Sequence, residues 1–433
     1  MRNFAWRMAA AAAAITIGLG CASGASRSNP APCCAAEGLR IAEQYRTTAI
    51  TTRRFTHDHL WIAMAPALRS PSVRVTEIGR SVQDRPLRAV TFGSGPVTVL
   101  LWSQMHGDEA TATMSLADMA AWFADTSTRD PLRDRIAREL TVVMVPMLNP
   151  DGAELFQREN ALGIDINRDA RRLVTPEARA LKRLRDSIDA DFGFNLHDQN
   201  ARTLAGPRGR QVAIALLAPA ADEARSWGET RTRARHVAAV VAGVLEQPIG
   251  GHLARYDDSF EPRAFGDLMQ QWGTSTVLIE SGAMAGDPEK QRLRALNVVA
   301  LVSALDAIAT GGYTAVPTTA YDALSTNSRS ALDLVIRGAS IVMPGQQPVR
   351  ADVAINYDEP VQRVGPRIRD VGDLESVVAL DTLEATGLFL HPDSTALTAH
   401  GESRWLRIGA LAALTLRRGA SSTSEAVRTI GMP

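Results

Sequence analysis

The chain carries a histidine and a glutamate three residues apart, in His106-Gly107-Asp108-Glu109, directly after an apolar run at residues 97–102. That run, rich in Val and Leu and closed by Trp102, reads as a buried strand. A His and a Glu at this spacing, just past a strand end, can point at one ion from the start of a helix. A catalytic zinc takes three protein ligands and keeps a fourth position open. Only eight histidines are present in the whole chain, so a third ligand has few sources. His197 is the best of them, because it too closes an apolar run, at residues 191–198. In open α/β sheets, ligands gather outside the carboxyl ends of strands. Taken alone, His106 and Glu109 also fit an ordinary helix-start ion pair, and His197 in a matching setting only moves the balance.

More residues of this kind follow other apolar runs. Asn149-Pro150-Asp151-Gly152 comes after the run at 140–148, and then come Arg158 and Gly163-Ile164-Asp165-Ile166-Asn167-Arg168. Asn149 and Asp151 are also normal turn residues beside Pro and Gly, and Asp165 could cap the turn after Gly163. Arg158 has a plain reading as a surface residue, since arginine far outnumbers lysine here. Glu280 is different. It closes the run Ser275-Thr276-Val277-Leu278-Ile279, and a carboxylate in so apolar a setting is costly without a purpose.

In this order the motifs resemble those of the zinc carboxypeptidases of the M14 metallopeptidase family, over roughly Arg74 to Leu305. The resemblance implies one zinc ion per chain, held by His106, Glu109 and His197. It implies that Asp165 accepts the far N–H of a ligand histidine, fixing its tautomer. Glu280 corresponds to the general acid/base and Arg158 to the arginine that stabilises the oxyanion. Asn167 and Arg168 correspond to the pair that grips the substrate's terminal carboxylate, which a guanidinium fork suits. Tyr256 corresponds to the tyrosine that covers bound substrate, although a half-buried loop aromatic explains it equally well. The chain departs from the family where Asp169 follows Arg168, an added negative charge beside the carboxylate grip. It departs again where Asp198 and Gln199 follow His197. Asp257, Asp258 and Asp267 would favour a basic residue at the cleaved position, whereas Arg255 and Arg263 would favour an acidic one. The remaining histidines, among them His57, His59, His236 and His252, read as non-ligands.

Lys plus Arg and Asp plus Glu each number 47, so no charge excess argues for nucleic acid as a partner. At the N-terminus, Arg2 and Arg7 precede an apolar stretch at residues 8–19, too short for a comfortable membrane span. It reads as an export signal, with a periplasmic or envelope-anchored destination. Gly18-Leu19-Gly20-Cys21 resembles a bacterial lipoprotein cleavage site, making Cys21 a possible lipid anchor, with Leu19 one position nearer the cysteine than usual. Ser23-Gly24-Ala25 offers an ordinary signal-peptidase site instead. The three cysteines, Cys21, Cys33 and Cys34, all lie in this leader and the linker behind it, so no disulfide staples the folded body.

Strands alternating with helical stretches imply an α/β fold, a zinc-carboxypeptidase-like sandwich with a mixed central sheet flanked by helices. Helices are expected at 38–70, 111–124, 175–189, 220–245 and 288–309. Beyond Thr310-Gly311-Gly312 the runs at 333–345 and 351–355 are β-rich, similar to the small β-sandwich that flanks the barrel in amidohydrolases, with no barrel sequence present. The expected organisation is a signal segment and linker (1–37), a peptidase domain (38–312) and a β-rich accessory domain (313–433) without a catalytic constellation. The resemblance implies an exported metallocarboxypeptidase that hydrolyses the C-terminal peptide bond of a peptide with a free carboxylate, through zinc-activated water. A zinc amidase or deacylase acting on cell-wall peptides or acylated amino acids is the first alternative. A non-catalytic peptide-binding protein on the same scaffold is the second.

Overall fold

The computed structural model describes residues 34–400 and 403–431. The apolar leader, Cys21 and Cys33 lie outside the described residues, as does the lipid-anchor expectation attached to them.

Helices α1 (Ala35–Gln44) and α2 (His57–Leu68) precede strands β1 (Val73–Arg80), β2 (Pro86–Phe92) and β3 (Val97–Ser103). Then follow α3 (Thr111–Ala124), α4 (Pro131–Glu139), β4 (Leu140–Val145), α5 (Pro150–Leu155), α6 (Pro176–Ile188), β5 (Phe192–Asp198), β6 (Leu204–Ala205) and β7 (Ile214–Leu217). After these come α7 (Glu229–Ile249), β8 (Leu253–Arg255), α8 (Phe265–Gln271), β9 (Ser275–Ser281) and α9 (Gln291–Thr310). Eight strands form one mixed sheet in the order β1-β2-β4-β3-β5-β9-β7-β8. Its centre, β4-β3-β5-β9, is parallel, while the pairings β1–β2, β2–β4 and β7–β9 are antiparallel.

Parallel strands covered on both faces are apolar at nearly every position, and β3 shows why. Val99 and Leu101 enter the core on the α3/α9 side, whereas Leu100 and Trp102 enter the core shared with Phe265 and Leu181 on the α6/α8 side. Successive side chains of a strand point to opposite faces. Helix α9 is long and apolar enough to cross a membrane, yet 83% of its apolar window is buried inside the protein. It packs on α1, α3, α4 and α7 as the central helix of that face.

The middle of α3 is locked from behind. Asp118 on α3 accepts 2.6 Å from Arg294 Nε on α9, and Arg294 also donates to the carbonyls of Ile50 and Thr47. Both side chains are essentially fully buried. Removing one partner of such a pair leaves an uncompensated buried charge. Asp118→Ala should therefore lower stability by about 3–5 kcal/mol. Thermal unfolding reads this directly, and a loss below about 1 kcal/mol, the scale of an exposed pair, would show that the pair carries little.

Several helices differ from expectation, α7 and α4 among them. Helix α7 starts at Glu229 rather than near residue 220, because Asp222 accepts from the Ser226 backbone in a local turn. Helix α4 was not anticipated. Asp130 caps it by accepting from the N–H groups of Leu132 and Arg133, with Pro131 at its first position.

After α9, the short α10 (Thr319–Asp322) and β10 (Asn327–Ser328) lie against the first body, where β10 pairs with β6. The C-terminal part has its own core, with Ile336, Val353, Leu390 and Leu414 among its members. Its strands are β11 (Leu332–Ile341), β12 (Val349–Glu359), β13 (Val364–Gly372), β14 (Ala379–Glu384), β15 (Phe389–Pro392), β16 (Leu397–His400), β17 (Ser403–Leu406), β18 (Leu414–Arg417) and β19 (Ala426–Ile430). Strands β16 and β17 form a hairpin, and the other seven form one sheet. Arg202, shortly after β5, docks this part by a two-pronged pair to Asp333 (3.0 and 2.7 Å) and a bond to the Tyr357 carbonyl.

Candidate active site

The carboxyl ends of β3, β5 and β9 share one edge of the sheet, and the sequence-expected residues collect there. The loop after β3 is shaped by backbone contact. A Cβ on Gly107 would sit 2.0 Å from the Gly152 carbonyl carbon, so only glycine lets this loop rest on the first turn of α5. Asn149 holds the same junction. Its Oδ1 accepts from Gly152 N (2.9 Å), and its Nδ2 donates to the carbonyls of Met105 and Arg158. Asp151 is turned away from the cleft, accepting from Ser81 Oγ, Gln83 N and Arg85. The Asn-Pro-Asp-Gly stretch thus positions His106 and Arg158 rather than acting itself.

Among the described residues, His106, Glu109 and His197 form one buried group whose donor atoms all lie within 4.8 Å of one another. His106 Nδ1 is 2.8 Å from Glu109 Oε1, and His197 Nδ1 is 2.7 Å from Glu109 Oε2. The two Nδ1 atoms are 3.2 Å apart. Ligands bound at about 2.1 Å in a tetrahedron are about 3.4 Å apart, so a small expansion of this triangle fits zinc, and two imidazoles with a carboxylate are a donor set zinc accepts. Electrostatics agree. Burial opposes charge on Glu109, yet the two histidines hold it well below the usual carboxylate range. Burial likewise opposes protonation of His106, but Glu109 and Asp165 outweigh it and push the ring up to about 9. His197 goes the other way, because burial dominates. The centre favours positive charge.

The surroundings orient the ligands. His106 Nε2 lies 3.0 Å from Asp165 Oδ1, leaving Nδ1 for the centre. Asp165 also accepts from Asn167 N and takes Arg158 Nε and Nη2 at 3.1 and 2.9 Å. Arg158 Nη1 reaches Glu109 Oε1 at 3.2 Å. Behind the ligands, Asp198 N donates to Glu109 Oε2, and the Asp198 carboxylate accepts from Thr111 Oγ1 and from buried Lys290 at 2.9 Å.

Glu280 is placed by strand register. β5 and β9 are parallel neighbours in which His197 pairs with Glu280, so both side chains leave the sheet on the same side. Burial, followed by the charge of Glu109, pushes the Glu280 carboxyl up to about 8. Its Oε2 is buried with no hydrogen-bond partner among the described residues.

Asn167 and Arg168 line the same cleft of about 610 Å³, as do Tyr256, Asp257 and Asp267. Asn167 Nδ2 is 3.5 Å from His197 Nε2, and its Oδ1 accepts from Phe265 N. Arg168 Nη1 donates to the Asn167 carbonyl, and its Nε lies 3.5 Å from Glu261. Asp169 does not burden this grip. It is buried and accepts from Val174 N, Thr175 N and Thr175 Oγ1, fixing the start of α6. Of the charges weighed for side-chain preference, Asp258 is instead tied to Arg225 and Arg231, and Arg263 to Glu261. Burial pushes Asp267 up to about 7.

Other histidines are engaged by backbone. The carbonyls of Pro86, Ala49, Val316 and Gln211 meet His57, His59, His236 and His252 respectively. The sequence reading did not find Arg53, Arg329 or the segment 359–361, all of which line the cleft. No local motif marks them, since each comes from a distant part of the chain.

Residues 61–211 match the family model Peptidase_M14, described as zinc carboxypeptidase. Carboxypeptidase SOL1 of Arabidopsis thaliana is 31% identical over 128 residues, covering 28% of this chain and 26% of that protein. Carboxypeptidase 2 of Trichophyton tonsurans is 27% identical over 115 residues, covering 27% of this chain and 21% of that protein. The chain thus spans about a quarter of the length of these curated relatives. Among solved structures, a metallo-carboxypeptidase from Burkholderia cenocepacia aligns with TM-score 0.47 and 19% identity, covering 60% of this chain and 70% of that one. The matched segment, which carries His106, Glu109, Asn149, Arg158, Arg168 and His197, is similar to the zinc carboxypeptidases of peptidase family M14.

Proposed function

We propose that this protein is an exported zinc metallocarboxypeptidase that removes the C-terminal residue of a peptide. One observation supports this most. The His106–Glu109–His197 triangle and Glu280, in register with His197, open into one cleft that Arg158 and Arg168 also line. His106, Glu109 and His197 would hold zinc, which would act as a Lewis acid and make water nucleophilic near neutral pH. Glu280 takes a proton from the attacking water at its unpartnered oxygen and passes it to the leaving nitrogen as the C–N bond breaks. An acid with its pKa near the working pH can do both. Arg158, fixed by two bonds to Asp165, presents Nη1 toward the centre to meet the oxyanion. Arg168 and Asn167 hold the substrate's terminal carboxylate. Export belongs to the same reading, on the strength of the apolar leader that follows Arg2 and Arg7, with Cys21 as a lipid attachment point.

Mass spectrometry of matched peptides with free and amidated C-termini tests the reading. Only the free acid should lose a residue, and Arg168→Gln should lower kcat/KM on it by about tenfold or more, the scale of a charged hydrogen bond. Glu261, 3.5 Å from Arg168, competes for that guanidinium and favours the amidase alternative. Equal cleavage of both peptides would decide for the amidase.

A further inference from the structure

The segment after α10 crosses from one body of the protein to the other along the cleft mouth, held by backbone bonds. Arg255 N donates to Ser325 O, Gly206 N donates to Thr326 O, and Asn327 and Ser328 pair with Ala205 and Leu204. Asn327 also meets Gln199, two residues past the His197 ligand. These bonds deliver Arg329 beside Tyr256, whose hydroxyl accepts from Arg329 Nη2 at 3.2 Å. Arg329 lines the cleft, and no carboxylate among the described residues lies within 4.0 Å of its guanidinium. The other cleft arginines differ. Arg158 is paired with Asp165, Arg168 faces Glu261, and Arg53 is paired with Glu359 from the tip of the C-terminal hairpin.

Arg168 and Arg329 are therefore held in the cleft by different parts of the chain. Arg168 belongs to the rim of Glu261 and Phe265, and Arg329 to the rim built from residues 199–206. A peptide gripped at its terminal carboxylate by Arg168 carries its acyl portion away from that rim. We propose that the C-terminal part of the chain completes the substrate site, with Arg329 as a specificity residue for a carboxylate on the acyl side of the scissile bond, as an acidic penultimate residue supplies. The proposal rests on the carboxypeptidase reading for its orientation of substrate. Arg329 is exposed, so the preference is modest and salt-sensitive.

The test compares N-acetyl-Glu-Leu with N-acetyl-Gln-Leu on the full-length, zinc-loaded protein. The wild type should favour the Glu substrate by about fivefold in kcat/KM, less at high salt. Arg329→Gln should bring the ratio to about one without changing zinc content. Arg329→Lys should restore part of the preference. The same ratio in wild type and Arg329→Gln overturns the proposal, as does no preference in the wild type. If neither dipeptide is cleaved, the carboxypeptidase reading fails separately. Calorimetric binding of N-acetylglutamate against N-acetylglutamine then decides, because a preference lost in Arg329→Gln upholds the acyl-side grip and equal binding overturns it.

Discussion

Glu280→Gln should lose hydrolysis by ~10²-fold or more while keeping its zinc and its affinity for substrate. Glutamine preserves the size of the side chain and its place beside His197 on the neighbouring strand, so the fold and the metal ligands are untouched. It cannot accept the proton of the attacking water or deliver one to the leaving amine. Glu280 suits that traffic because burial and the nearby Glu109 raise its carboxyl to about 8, within reach of both protonation states near neutral pH. Single-turnover kinetics with parallel elemental analysis separates the outcomes. Undiminished turnover would assign the proton transfer to another group. Zinc loss would make Glu280 a ligand, and a wild type that cleaves no peptide or acyl-amino acid would leave a binding protein on an intact scaffold.

The metal-centre residues were legible because each polar group stands directly after an apolar run. A strand end is a boundary that local periodicity reveals, and His106, His197 and Glu280 each mark one. The pairing of Glu280 with His197 was not legible, because β9 lies beside β5 only through a crossover in strand order. Asp169 was misjudged for a related reason. Its partners are backbone N–H groups five and six residues ahead, at the start of α6, and proximity to Arg168 in sequence suggested an interaction the chain does not make. Arg53 and Arg329 carry no motif at all, and only the docking of the C-terminal sheet through Arg202 and β10 brings that end of the chain to the cleft. The β-rich region, expected to carry no catalytic constellation, contributes Arg329 and residues 359–361 to the cleft lining.

The proposed activity rests on the triangle of His106, Glu109 and His197. A three-ligand site with one open position needs both imidazoles, and removing them leaves a single carboxylate that cannot hold zinc tightly in water. The His106→Ala/His197→Ala double variant should therefore fold, bind no stoichiometric zinc and hydrolyse nothing. The most direct measurement titrates zinc into chelator-stripped wild-type protein while following bound metal and cleavage of a free-acid peptide together. Both should rise in parallel and level off at one equivalent per chain, and neither should rise in the double variant. Full cleavage by the stripped protein, or one tightly held zinc in the double variant, would contradict the assignment.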